Sequence, residues 1–151
     1  MNSQNDLKFM RRALELAELA AERGDVPVGA LIVKDGEIIS EGYNLRQQNK
    51  LATAHAEMIA IDMACERLGG WHLCGCTLYV TLEPCPMCAG ALINSRVDRV
   101  VFGVKDSKAG CFGSVLNMNR YPFNHAFEVT EGVMAEASAK LLSDFFAKKR
   151  K

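Results

Sequence analysis

The chain has 151 residues, 49% of them hydrophobic and 24% charged, with 18 acidic and 18 basic side chains and a formal net charge of zero. That is the make-up of one globular domain of residues 1–151, and it excludes a disordered chain and a broadly basic nucleic-acid binder. No apolar run approaches the ~18 residues of a membrane span, and the polar start, Met1-Asn2-Ser3-Gln4-Asn5-Asp6, is no signal peptide. A reduced, cytoplasmic protein is therefore expected, so the six cysteines are not read as a disulfide framework.

Residues 6–23 carry Leu7, Met10, Leu14, Ala17 and Ala21 at helical spacing and stop at Gly24. Residues 28–33 and 38–43 read as strands joined at Asp35-Gly36, a hairpin signal. Thr53 is suited to cap a helix over 54–68, closed by Gly69-Gly70. A third strand follows at 77–82. Pro86 suits a first helical position, which predicts a helix over 86–94. A fourth strand covers 97–104, and residues 105–125 are mostly loop with a short helical piece. A fifth strand falls at 126–130. The last helix, 133–148, carries Met134, Ala137, Leu141 and Phe145 on one stripe. A hairpin followed by alternating helices and strands predicts an α/β fold, a mixed sheet with helices on both faces. Ligands of such sheets bind beyond strand ends, where helices begin.

Two motifs fall at predicted helix starts: His55-Ala56-Glu57 and Pro84-Cys85-Pro86-Met87-Cys88. Cysteines three apart on a first helical turn share a face, and a helix N-terminus favours their thiolates. With His55 they make three metal ligands, the count of a catalytic zinc that keeps one position open. Glu57 would then move a proton. A closed site completed by Cys74 and Cys76 is the structural alternative, but it leaves Glu57 without a role. A redox use of the Cys-x-x-Cys pair leaves both His55 and Glu57 without one. Cys65 and Cys111 read as small buried residues. His72 and His125 lack partners at ligand spacing. The basic end, Lys148-Lys149-Arg150-Lys151, leaves 14 of the 18 basic residues to face 18 acidic ones. Alone it is a solvated tail; beside an RNA site it would contact phosphates.

The H-x-E…P-C-x-x-C pattern is an established signature of zinc nucleobase deaminases. Further matches are Val26-Pro27-Val28-Gly29-Ala30, Asn44-Leu45-Arg46, Thr81-Leu82-Glu83, Asp106-Ser107-Lys108-Ala109-Gly110 and Leu141-Leu142-Ser143-Asp144-Phe145-Phe146. Along nearly its whole length the chain resembles the bacterial tRNA-specific adenosine deaminases. The resemblance implies a three-layer α-β-α cytidine-deaminase-like fold with a mixed five-stranded sheet, one Zn2+ per chain, a homodimer and a tRNA anticodon stem-loop as partner. It implies hydrolytic conversion of the wobble adenosine to inosine, with Glu57 as the acid–base group. By the same likeness Val28, Asn44 and Ala56 would line the base site. Asp106 would approach ribose hydroxyls and Lys108 a phosphate, with Asn124 a further RNA contact. Phe145 and Phe146 cannot both face one core, so either both pack, against different helices, or one packs while the other stacks on a base; Phe145 is taken as the substrate contact. Two rival readings are deamination of a free base or nucleoside such as guanine or cytidine, and a non-catalytic zinc-binding module that holds RNA or protein, which the intact Glu57 and the three-ligand count argue against.

Overall fold

A computed structural model describes residues 3–149 of the chain. Arg150 and Lys151, half of the basic tail, lie outside these described residues.

Helix α1 (Gln4–Glu22) starts at Ser3, whose Oγ accepts the Asp6 N–H at 3.0 Å. The hairpin follows as β1 (Gly29–Lys34) and β2 (Glu37–Tyr43), turning through Asp35 and Gly36, both with positive φ. A single helical turn, α2 (Arg46–Asn49), comes next. Then come α3 (Ala56–Leu68), β3 (Cys76–Leu82), α4 (Pro86–Ser95), β4 (Arg99–Val104), β5 (Glu128–Thr130) and α5 (Ala135–Lys149). A 3-10 turn at Met118–Arg120 is the helical piece of the long connection. The strand order is β2-β1-β3-β4-β5. β1 runs antiparallel to both neighbours, and β3, β4 and β5 are parallel.

Alternation along the strands divides the core into two. Ile32, Leu78, Val80, Val100 and Phe102 pack with Ala60, Ala64 and Leu92 of α3 and α4. Leu31, Val33, Tyr79 and Val101 point the other way, onto Phe9, Met10 and Ala13 of α1 and onto Val133. α5 packs against β4 and α1, so it shares the α1 face. The result is the expected three-layer α-β-α fold.

Three expectations are corrected. α3 starts at Ala56 with His55 as its N-cap, so Thr53 caps nothing. α2 was not expected, because one polar turn has no hydrophobic period; Asp25 Oδ2 holds it by accepting the Gln47 N–H at 2.8 Å. α5 begins two residues late, because Gly132 and Met134 both take positive φ and turn the chain there. Val133 is fully buried as the anchor of that turn, and Met134 falls outside the helical stripe.

Gly42 matters for the site. A Cβ there would stand 2.5 Å from the Ala56 carbonyl oxygen and 3.0 Å from Ala60 N. Only glycine lets β2 carry the first turn of α3 this closely.

Candidate active site

The parallel strands β3 and β4 end side by side, and the starts of α3 and α4 lie beyond them. His55 and Cys85 are the N-cap residues of the two helices, both with extended backbone. Neither side chain caps its own helix. The imidazole and thiol instead hang over the helix ends and meet. His55 Nδ1 lies 3.6 Å from Cys85 Sγ and 3.5 Å from Cys88 Sγ. All three donor atoms lie within 4.8 Å of one another. Tetrahedral nitrogen and sulfur ligands at ordinary zinc distances stand about 3.6 Å apart, so both nitrogen–sulfur edges of the set already have the length of a zinc site. The pairing of two thiols with one imidazole also suits zinc.

The capping duty that His55 gives up passes to Asn44. Its Oδ1 accepts the Ala56 N–H at 2.8 Å, and the side chain is buried. That contact fixes the amide orientation and leaves Nδ2 as the group available to a ligand.

Burial and proximity shape the acid–base chemistry. The Cys88 thiol hydrogen-bonds Cys85 and, together with His55, holds the Cys85 thiol down at about 4. The same bond, with burial, pushes Cys88 strongly up. A divalent ion would favour both thiolates. Glu57 is 4% exposed, and burial pushes its carboxyl up to about 7.

A cavity of about 490 Å³ opens over this cluster, of a size for a nucleotide. Val28, Asn44, His55, Glu57 and Cys85 form its floor, and Asp106, Ser107, Lys108 and Ala109 form one wall. Arg46, Lys105 and Lys108 put three cations at its edge, while Leu142 and Phe146 close the α5 side. Asp106 Oδ1 accepts the Lys108 and Ala109 N–H groups at 3.0 and 3.2 Å, which shapes the wall loop.

Other expected residues lie elsewhere. Cys88 and Ala56 are fully buried beneath the cavity lining. Asn124 is exposed and outside the cavity; its carbonyl accepts from Arg96 Nη1 at 3.1 Å. Phe145 is 9% exposed and packs inward, while Phe146 lines the cavity at 43% exposure, so the two aromatic roles are exchanged relative to the sequence expectation. Phe145 continues the stripe of Ala137 and Leu141 that its spacing predicts for the packed face of α5, and Phe146 falls on the next face.

Cys76 opens β3 whereas Cys85 follows its far end, about 20 Å along the strand, so Cys74 and Cys76 do not join the ligand set. Cys111 is buried and Cys65 half-buried. His72 stacks on Trp71, and His125 Nε2 lies 2.6 Å from the Val97 carbonyl. Among the described residues no other group of His, Cys, Asp and Glu could hold a metal. Arg46, Leu82, Glu83 and Phe146, which the sequence offered only as members of matching stretches, and Lys105, which it did not offer, also line the cavity.

Residues 3–104 match the family model of the cytidine and deoxycytidylate deaminase zinc-binding region. The tRNA-specific adenosine deaminase of Bacillus subtilis is 51% identical over 99% of this chain and 92% of its own. That of Haemophilus influenzae is 48% identical over 99% and 88%. A solved structure from studies of A-to-I editing by tRNA:A34 deaminases at the wobble position of transfer RNA superposes with a TM-score of 0.87. It is 43% identical and covers 89% of this chain and 99% of its own. By the family model, by these relatives and by the fold, the chain belongs to the cytidine and deoxycytidylate deaminase family and, within it, to the tRNA-specific adenosine deaminases.

Proposed function

We propose that this protein hydrolytically deaminates adenosine to inosine at the wobble position of a tRNA anticodon loop, with one zinc ion per chain. The observation that carries the reading is a buried carboxylate, Glu57, that is not needed as a ligand. It stands beside three metal-ligand atoms at the floor of a nucleotide-sized cavity with a cationic edge.

His55, Cys85 and Cys88 would hold the ion. When bound, zinc supplies a Lewis acid that makes water a nucleophile near neutral pH. Glu57 accepts the proton that the attacking water gives up and passes it to the ring nitrogen beside C6. It then helps protonate the amine, so that water and adenosine leave as inosine and ammonia. A carboxylate in a dry pocket can act in both directions. Asn44, its Oδ1 already engaged, presents Nδ2 to an acceptor on the base, and Val28 packs against the base plane. Asp106 takes the ribose hydroxyls through the oxygen that its own loop leaves free. Lys108, Lys105 and Arg46 face the phosphates, together with the basic tail, and Phe146 stacks on a neighbouring base. The exposed position of Asn124 makes any RNA contact there peripheral to the reacting nucleotide.

No helix among the described residues is long and apolar enough to cross a membrane. We place the protein in the cytoplasm, where its tRNA substrate is, as one deaminase domain that assembles as a homodimer. The test is inosine detection after incubating zinc-loaded protein with an anticodon stem-loop bearing adenosine at the wobble position. Ammonia release from guanine and cytidine is followed in parallel. Inosine at that one position supports the reading, and faster release from either free compound replaces it.

A further inference from the structure

Glu83 is the second buried carboxylate of the site, and the chemistry just described gives it no part. It follows β3 and stands two residues before Cys85, with 2% of its surface exposed. No cation pairs with it among the described residues. Its charge is met instead by one loop. Oε1 accepts the Asp106 N–H at 3.0 Å and the Ser114 hydroxyl. Oε2 accepts the Phe112 N–H at 2.9 Å and the Ser114 N–H at 3.2 Å. The loop therefore folds around the carboxylate as a backbone nest folds around a bound anion.

Two further contacts make the arrangement directional. A Cβ on Gly110 would overlap the Glu83 carboxylate, which accounts for the glycine of the Asp-x-Lys-x-Gly stretch. The Cys111 N–H also donates to the Pro84 carbonyl at 2.9 Å. The segment that carries Asp106 and Lys108 is thus fastened, side chain and backbone, to the turn that carries a metal ligand.

We propose that Glu83 is a positioning residue that sets the Asp106–Ser114 loop at a fixed distance from the metal cluster, so that Asp106 and Lys108 meet the ribose and phosphate of the reacting nucleotide. This rests on the reading of the cavity as the RNA site. Glu83 touches no reacting atom, so its loss should act on binding far more than on turnover.

The experiment compares zinc-loaded wild type, Glu83→Gln, Ser114→Ala and Ser114→Thr on the anticodon stem-loop. Glutamine turns an NH2 group toward N–H donors, so the loop cannot close around it. KM for the stem-loop should rise about tenfold or more in Glu83→Gln, with kcat within about threefold and one zinc per chain retained. Ser114→Ala removes one donor and should raise KM about threefold, and Ser114→Thr, which keeps the hydroxyl, should restore it. If Glu83→Gln fails to fold, the Ser114 pair decides. Unchanged KM in these variants beside an active wild type overturns the inference and leaves the functional reading intact. A fall in kcat at unchanged KM also overturns it, because Glu83 would then act on the chemical step. A wild type that leaves the stem-loop unmodified overturns the functional reading, and the inference with it.

Discussion

Asp6→Asn should cost far more stability than a polar substitution near a chain terminus ordinarily does. The Asp6 carboxylate is 3% exposed and joins α1 to β3 and β4. It accepts the Tyr79 hydroxyl at 2.7 Å and both terminal nitrogens of Arg99, at 2.9 and 2.7 Å. Breaking a buried ion pair from one side costs about 3–5 kcal/mol, because the partner charge stays buried. Arg99 is 24% exposed at its side chain and keeps Thr130 Oγ1 at 2.9 Å and Glu128 at 3.8 Å, which brings that cost to about 2–3 kcal/mol. A weakened Tyr79 bond adds about 0.5–1 kcal/mol. The sum, about 3 kcal/mol, should lower the urea midpoint at constant m and take about 6–12 °C off Tm. The sign with pH follows from Arg99, whose hydrogen bonds hold the Asp6 carboxyl below its ordinary 3.8 in the folded state. The stabilisation is fully present above the unfolded value and fades as pH falls through the folded one. Wild type and variant should therefore differ at pH 7 and converge in strong acid. A difference below about 1 kcal/mol at pH 7, or one that grows toward low pH, would refute the reasoning.

Glu57→Ala should retain one zinc per chain and RNA affinity while turnover falls by at least ~100-fold; loss of zinc with the side chain would show that Glu57 is a ligand. Cys88→Ala should leave zinc content well below one per chain after dialysis, with some loss of folding stability. Full metal retention would remove Cys88 from the ligand set. The neighbouring phenylalanines should separate cleanly. Phe145→Ala should lower stability by about 3 kcal/mol through the cavity it leaves. Phe146→Ala should spare stability and weaken stem-loop binding about tenfold, as expected for one lost stack. Equal effects at both positions in either assay would contradict the helix rotation seen here.

Each half of the His55, Cys85 and Cys88 cluster was legible because it is local: Cys85 and Cys88 sit on one helical turn, and His55 and Glu57 straddle one helix start. That the two halves meet came from the recognised pattern, since the contact spans some thirty residues. The strands of the hairpin were legible because they too are local. The Asn44 cap was not, since its partner at Ala56 lies across α2, a single turn without periodicity. Glu83 reads locally as a strand end before a proline, and all four of its donors come from a loop more than twenty residues on. That Phe145 packs was legible in the stripe it shares with Ala137 and Leu141, whereas the start of α5 was not, because it is fixed by left-handed backbone at Met134, a residue with no sequence preference for such a conformation.

The most direct test of the central claim is the ratio of kcat/KM for the anticodon stem-loop to that for free adenosine, measured on one zinc-loaded preparation. Asp106, Lys108, Lys105, Arg46 and Phe146 all lie where they can reach beyond the reacting base, so most of the binding energy should come from the rest of the loop. The account predicts a ratio above about 100, because two lost charge-assisted contacts already amount to that factor. A ratio near one would contradict it and mark the cavity as a site for free nucleosides.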